Sequence, residues 1–406
     1  MASFFNDKLE FQPGMFYVGV QSWETKQYHV YSTPNGTSHN AFLIMDKQVT
    51  LIDTVPLQYQ FEFFEKIKQL TPLESIVNII IQHAEQEVTE CLPVLVQACP
   101  NACVICTRKC YEHLIILYPQ LSSTRFEIVQ SKKPLIIGTK QLSFIQVPLV
   151  HWPESMITVC GDIVFTSDLF SQHIASFKRF IDPECQALIE EKAEEFLANE
   201  FSRVVPQLIE IIGQVKGFKM LLPTHGMIIK DHYVERVLNL YTNFTQLILA
   251  NADPSLIAQR PKKIIIVFET LWTATARMAD FIAYHLKNNN INICLLNMKL
   301  TSLEKLAHES LTATGFAFGS PTLNNGAMPG IVQAVNYLRG LKMVDNKPAI
   351  VFGSYGWGDG EGSKYLADQL ERSGIRVGGR VIWKYNFDDS VEARMAQVLN
   401  QVFMNK

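Results

Sequence analysis

The stretch that most restricts the fold is Ile264-Ile265-Ile266-Val267-Phe268, an unbroken β-branched and aromatic run. It follows a polar passage punctuated by Pro254 and Pro261 and is framed by Lys262-Lys263 and Glu269-Thr270. A short apolar run bounded by charge and turn reads as the first buried strand of a new domain. The boundary therefore lies between residues 254 and 262, leaving one domain at 1–254 and another at 262–406. The 406-residue length agrees with this, because domains typically hold roughly 100–200 residues. At 48% hydrophobic and 18% charged residues, the chain has ample core material, which excludes a disordered or fibrous protein.

Beyond the boundary, apolar runs at 264–268, 291–297, 315–319, 348–353 and 376–383 alternate with helical stretches at 276–288, 330–342 and 362–373. This alternation predicts an α/β fold with a doubly wound parallel sheet, which binds ligands at the carboxyl ends of its strands. The first part is richer in strands, at 15–21, 38–45, 48–53, 77–82, 103–107, 141–148 and 156–166. Helices are predicted at 58–69, 187–215 and 232–250, which suggests an α/β sandwich.

Lys+Arg number 36 against 39 Asp+Glu, for a net charge of −3. Such a chain lacks the basic footprint of a nucleic-acid binder and the polybasic patch of a membrane-attached one. No run of about 20 apolar residues would span a bilayer. Residues 1–7 show no secretory signal pattern. The eight cysteines read as free thiols in a reducing compartment. A cytoplasmic location is the expectation.

Two groups of residues carry chemistry. His83-Ala84-Glu85-Gln86-Glu87 follows a strand and sets three potential ligands at alternate positions. His151-Trp152-Pro153-Glu154, Thr166-Ser167-Asp168 and Pro223-Thr224-His225-Gly226 also follow apolar runs and precede turns. Strand ends of one sheet converge on one rim, so these side chains can meet. Imidazoles with carboxylates and no thiolate suit iron, manganese or zinc. The set is too large for one tetrahedral zinc and suits two metals bridged by a carboxylate. Taken singly, each His is more simply a solvated turn residue; the four segments together favour a metal site.

The second group lies in three loops. Thr270-Leu271-Trp272-Thr273-Ala274-Thr275 follows the first strand of the second part and opens a helix. Hydroxyls and N–H groups at a helix N-terminus hold phosphate. Ser320-Pro321-Thr322-Leu323-Asn324-Asn325-Gly326 and Ser354-Tyr355-Gly356-Trp357-Gly358-Asp359-Gly360 follow the third and fourth strands. Their glycines admit a planar ligand closely, and Tyr355 and Trp357 offer faces for an isoalloxazine ring. Together the loops predict an FMN site.

These segments together resemble the flavodiiron proteins, also called A-type flavoproteins, over nearly the whole chain. The matching segments are Gly319 to Gly326, Gly353 to Trp357, His151-Trp152-Pro153, Tyr17-Val18-Gly19-Val20, Pro34-Asn35-Gly36-Thr37-Ser38-His39-Asn40 and Leu51-Ile52-Asp53-Thr54. The resemblance implies a metallo-β-lactamase-like αββα sandwich followed by a flavodoxin-like doubly wound sheet. It implies that His83, Glu85 and His151 hold one iron, that Glu87 and His225 hold the second, and that Asp168 bridges them. His29 matches a residue near the dioxygen pocket and is the expected catalytic group. Asp53 is expected to be structural. Where the family pattern has Asp then His, this chain has Glu87 then Val88. Val88 cannot ligate, so the second metal loses an imidazole unless water or a bidentate Glu87 fills the place. A pocket-lining Tyr of the family is replaced near Phe196, and Thr273 and Ala274 stand where Gly and Ser are common.

The function implied is an oxidoreductase reducing dioxygen to water at two iron ions fed by FMN. Nitric oxide reduction to nitrous oxide is the near alternative, and a metal-poor regulatory subunit is the reading that Val88 motivates. Implied partners are an external electron donor, rubredoxin-like or a flavin reductase, and a second copy in a head-to-tail homodimer or tetramer. A donor from outside is expected because no such module follows Lys406. Cys99, Cys103, Cys106 and Cys110 are read as buried structural thiols, His173 as a neighbour of the site, and Trp152 as packing.

Overall fold

The computed structural model describes residues 9–130 and 133–404. The residues read above for a signal sequence lie outside the described residues, as does Lys406. The chain divides into two compact units, residues 1–196 with 204–242, and residues 197–203 with 243–406. The division runs through the helix His232–Asn251, ahead of the prolines at 254 and 261. Prolines mark where the chain can no longer stay helical, whereas membership of a unit follows which core a helix face covers.

The first unit is built on two sheets. The larger runs Leu9–Gln12, Met15–Tyr17, Phe42–Ile44, Val49–Ile52, Ile76–Ile80, Cys103–Cys106, Phe126–Ile128 in spatial order. The other runs Leu135–Ile136, Gln141–Gln146, Met156–Cys160, Ile163–Ser167, Met220–Pro223, Ile229–Lys230. Strand side chains alternate between faces, and this period separates two cores. Leu43, Leu51, Ile79 and Val104 join Phe63, Leu95 and Leu114 of the helices Gln60–Lys68, Leu92–Ala98 and Arg108–Leu117. Ile44, Ile52, Ile80 and Ile105 face Phe144, Phe165 and Leu222 of the second sheet. The same alternation sends Cys103 to the core between the sheets and Cys106 to the helix side, where Cys99 and Cys110 of the helical segments also lie, so the four thiols do not converge.

Four predicted segments are broken in the structure, one of them 38–45, which divides into Thr37–His39 and Phe42–Ile44 in different sheets. Residues 15–21 divide at Gly19 into Met15–Tyr17 and Val20–Ser22, and the latter pairs with Thr37–His39 outside the main sheets. A Cβ on Gly19 would lie 2.4 Å from the His39 carbonyl oxygen, which explains the glycine at this crossing. Residues 156–166 form a hairpin, Met156–Cys160 and Ile163–Ser167, turned at Gly161 with φ +61°. The long helix expected at 187–215 is two, Gln186–Phe196 and Val205–Val215, with Pro206 in the first turn of the second. A proline fits there and not in a helix interior.

The second unit holds a five-stranded parallel sheet in the order Asn292–Asn297, Lys263–Phe268, Gly315–Gly319, Pro348–Tyr355, Arg376–Lys384. The chain starts second from one edge and reverses direction across the sheet after the second strand, which creates a switch point. Phe268 pairs with both Asn297 and Gly319, and Gly319 with Phe352. The chain beyond Phe268, Gly319 and Phe352 therefore leaves from one edge, the last segment staying in the strand as far as Tyr355 before its loop begins. Gly353 is required there, because a Cβ would meet the Ser320 carbonyl oxygen at 2.0 Å.

Candidate functional site

The parallel pair Ile163–Ser167 and Met220–Pro223 brings Asp168 and His225 to one sheet end, where Thr224 N donates to Ser167 O at 2.9 Å. His83 follows Ile76–Ile80 of the facing sheet, and Asp53 ends the neighbouring strand. Asp53 accepts hydrogen bonds from Gln82 N and Nε2, both 2.9 Å, and burial pushes its carboxyl up to about 6. It anchors the segment that carries His83 without entering the cluster.

The structure brings all the predicted metal-site side chains together. His83 Nε2 and His151 Nε2 each lie 3.0 Å from Asp168 Oδ2, and 3.6 and 3.3 Å from Glu85 Oε2. Asp168 Oδ1 points the other way, 3.9 Å from His225 Nε2, which in turn is 2.8 Å from Glu87 Oε1. His83, Glu85, His151 and Asp168 form one group able to hold a metal ion, and Glu87 and His225 form a second with His39. His39 is absent from the sequence-based set.

Hydrogen bonds around the groups fix their chemistry. His225 Nδ1 faces the Ser38 carbonyl at 2.5 Å. A carbonyl only accepts, so Nδ1 carries the proton and the Nε2 lone pair looks at Glu87. His83 Nδ1 meets Ser167 Oγ at 3.0 Å, leaving its Nε2 toward Asp168. Trp152 Nε1 donates to Glu85 Oε2 at 2.7 Å, so Trp152 does more than pack. Such outer bonds orient metal ligands and set their tautomers. Gly226, at φ +85°, turns the chain where a Cβ would lie 2.3 Å from Gln172 Oε1.

The donor atoms of this arrangement fit a cation. His83 Nε2, both Asp168 oxygens and His39 Nδ1 are buried without a hydrogen-bond partner, although buried polar atoms are rarely left so. Lone pairs of imidazole and carboxylate that converge at about 3 Å repel unless a proton or a metal lies between them. With protons alone, burial would lower the His83 pKa, but Asp168 and then Glu85 outweigh it and push it up to about 10. Burial likewise opposes His225, and Glu87 raises it to about 9. Asp168, despite burial, is held well below the usual carboxylate range by His83 and His151. A divalent metal satisfies every one of these atoms without charging two buried imidazoles, and the donor set of imidazoles with a carboxylate suits iron.

The cluster opens on a cavity of about 760 Å³ lined by Tyr28, His29, Glu85, Glu87 and Trp152, among others. His29 is 61% exposed, with Nε2 3.9 Å from Glu85 Oε1. Sequence reasoning missed Tyr28, whose hydroxyl donates to Glu87 Oε2. Phe196 packs on His173, ring centroids 5.3 Å apart, so the hydroxyl at the site comes from Tyr28. His173 bonds Thr37 Oγ1 at 3.0 Å and lies against His225 at 4.7 Å.

In the second unit a cavity of about 490 Å³ is lined by Thr270 to Thr275, Pro321, Thr322, Asn324, Asn325, Ser354, Tyr355, Gly356 and Trp357. This lies in the usual range for cofactor sites, roughly 300–1,000 Å³. The helix Ala274–Asn288 starts at it, and no Lys or Arg among the described residues lines it, so a phosphate there would rest on N–H groups and hydroxyls. Six residues of the expected loops, Ser320, Leu323, Gly326, Gly358, Asp359 and Gly360, are not in its wall. Leu323 and Gly326 pair with each other through their backbones, closing a turn in which Asn324 and Asn325 take φ +49° and +58°. Gly358, Asp359 and Gly360 lead into the helix Glu361–Arg372. Tyr385 and Asn386 complete the wall instead. They were not legible because their loop lacks the glycine and hydroxyl pattern; Tyr385 N donates to Tyr355 O at 2.8 Å and so joins the rim.

Comparison with known proteins gives these two sites a context. Residues 37–226 match the model of the ODP family beta lactamase. The chain is 30% identical to the anaerobic nitric oxide reductase flavorubredoxin of Salmonella paratyphi A, over 89% of this chain and 74% of that protein. It is 28% identical to the rubredoxin-oxygen oxidoreductase of Megalodesulfovibrio gigas, over 89% of each. The crystal structure of the flavodiiron protein from Giardia intestinalis superposes with a TM-score of 0.86 at 29% identity, covering 96% of this chain and 94% of that one. A metallo-β-lactamase-like sandwich, a flavodoxin-like sheet and relatives that are oxidoreductases over most of the sequence lead to one conclusion: the chain belongs to the flavodiiron protein family and is an oxidoreductase of that type.

Proposed function

We propose that this chain is a dioxygen reductase that forms water, whose His and carboxylate cluster would hold two irons and whose 490 Å³ cavity would hold FMN. The observation that carries the reading is Asp168, buried and without a hydrogen-bond partner, with one oxygen turned to His83 and His151 and the other toward His225. His83, Glu85 and His151 would hold one iron, Glu87 and His225 the other, and Asp168 both. Bound iron and flavin would supply the electron-storing chemistry that side chains lack.

The chain's own residues supply orientation and protons. Trp152 holds Glu85, Ser167 holds His83, and the Ser38 carbonyl holds His225. Tyr28 keeps a proton at Glu87 Oε2. His29 stands between solvent and Glu85 and is placed to pass protons inward. Protons matter because one dioxygen taken to two waters consumes four electrons and four protons.

Names of the relatives support a rubredoxin-like electron donor, with a flavin reductase as the other form such a donor takes. A head-to-tail homodimer or tetramer and a cytoplasmic setting belong to the same proposal. Nitric oxide is the second substrate reading, favoured by the flavorubredoxin relative; two molecules with two electrons and two protons give nitrous oxide and water. The discriminating experiment supplies the FMN- and iron-loaded protein with a chemical reductant and measures each gas. Oxygen uptake at two reduced-flavin equivalents per dioxygen, without peroxide, is expected. Nitrous oxide formation with slow oxygen uptake would reverse the assignment, and turnover of neither gas would favour the regulatory reading.

A further inference from the structure

We infer that His39 is a ligand of the second metal, taking the place of the imidazole that Val88 cannot supply. The inference rests on the diiron reading above and deepens it. Val88 is fully buried, and its backbone carbonyl accepts from Thr54 N and Oγ1 at 3.2 and 2.5 Å. The chain at position 88 is committed to the core and offers the cluster no donor atom.

His39 reaches the same place from another element. It ends the strand Thr37–His39, paired opposite Val20, and is 2% exposed. Its Nδ1 is 3.9 Å from Glu87 Oε2 and has no hydrogen-bond partner. One ligand atom each from His39, Glu87 and His225 falls within 4.8 Å of the others. The two imidazole rings stand 5.4 Å apart at 77°, so neither stacks on the other.

The strand that carries His39 is also the strand that fixes His225. Ser38 Oγ accepts from Gly226 N at 2.7 Å, and the Ser38 carbonyl takes His225 Nδ1. Asn40 N donates to Thr224 O at 2.7 Å, and Asn40 Nδ2 to Pro223 O at 2.8 Å. His39 lies between two residues bonded to the His225 loop, so the spacing of the two imidazoles is set by the backbone. A buried imidazole held this firmly, with its nitrogen facing a carboxylate and no proton partner, is arranged as a ligand. With Asp168 the second metal then has two imidazoles and two carboxylates, and the ground for a metal-poor subunit disappears.

Cobalt(II) titration of the metal-free, FMN-containing protein tests this, read by d–d absorption and by bound metal per chain. The unaltered chain is expected to take up two equivalents. His39→Gly and His39→Gln are expected to keep the first equivalent and lose the second or weaken it at least about tenfold. Added imidazole is expected to restore the second equivalent to His39→Gly only. FMN content and circular dichroism identify any variant that has not folded, and the conservative Gln variant covers that case. Two full-affinity equivalents in both variants would overturn the role of His39. Fewer than two in the unaltered chain would instead overturn the diiron reading itself.

Discussion

Asp168 and Glu85 show how little of a site's chemistry resides in ligand identity alone. The Trp152 indole aims a lone pair of Glu85, whereas no hydrogen bond fixes Asp168, whose oxygens are placed by the strand end that precedes it. Trp152→Phe keeps the ring and removes the donor, so Glu85 Oε2 is free to rotate away from His151. Iron affinity of the first site is expected to fall about 10–100-fold, the usual cost of losing an outer-shell bond. Folding stability should change little, because the site is partly open to solvent. Metal titration checks this; unchanged affinity would show that the indole only packs. The spacing of His83, Glu85, Glu87, His151, Asp168 and His225 was legible because each follows an apolar strand. The expectation that these strands share one sheet was not met, since the first three follow a strand of the larger sheet and the last three follow strands of the other, and the cluster forms where the ends of the two sheets face each other. Tyr28 and His39 escaped that logic. They sit on short strands, Gln27–Tyr28 and Thr37–His39, that lie outside the main sheets and carry no long apolar run to announce them.

Elements with a single strong period were read correctly, and those interrupted by local chemistry were not. The parallel strands of the second unit are apolar on both faces, so 264–268, 315–319 and 348–353 stood out. The helix Leu303–Leu311 did not, since His308, Glu309 and Ser310 blur its apolar stripe. Tertiary contact holds its end: the buried Lys347 ammonium donates to the Ser310 carbonyl at 3.0 Å. Burial, with Arg260 adding to it, lowers the Lys347 pKa to about 7, against 10.5 as its ordinary value. Between those values the folded chain binds fewer protons than the unfolded one. Stability contributed by this group must therefore rise with pH from 7 toward 10 and be lowest below 7. The rise totals about 5 kcal/mol if the full shift from 10.5 to about 7 is realised. Lys347→Met is expected to be more stable than the unaltered chain near pH 7 and to lose that part of the slope. Urea unfolding of both proteins across pH 7–10 measures it, and parallel curves would contradict the assignment.

At the scale of the whole molecule, each unit carries its own core and its own candidate ligand site. Ile266, Phe352 and Met395 centre one core, while the first unit has its pair of clusters around the larger sheet. A ligand stabilises the folded form of the unit that binds it, by about 2.7 kcal/mol when free ligand is a hundredfold above its dissociation constant. For units of this size a kilocalorie shifts the midpoint by roughly 2–4 °C. Calorimetry of the loaded protein is therefore expected to show two transitions. Stripping FMN should lower one of them by about 5–10 °C, and chelating iron should lower the other. The two effects should add when both ligands are removed, since distinct sites then act on distinct cooperative units. A single transition that moves with either ligand would mean that the cofactors stabilise one common folding unit, and the flavin and metal halves would have to be treated as one thermodynamic body.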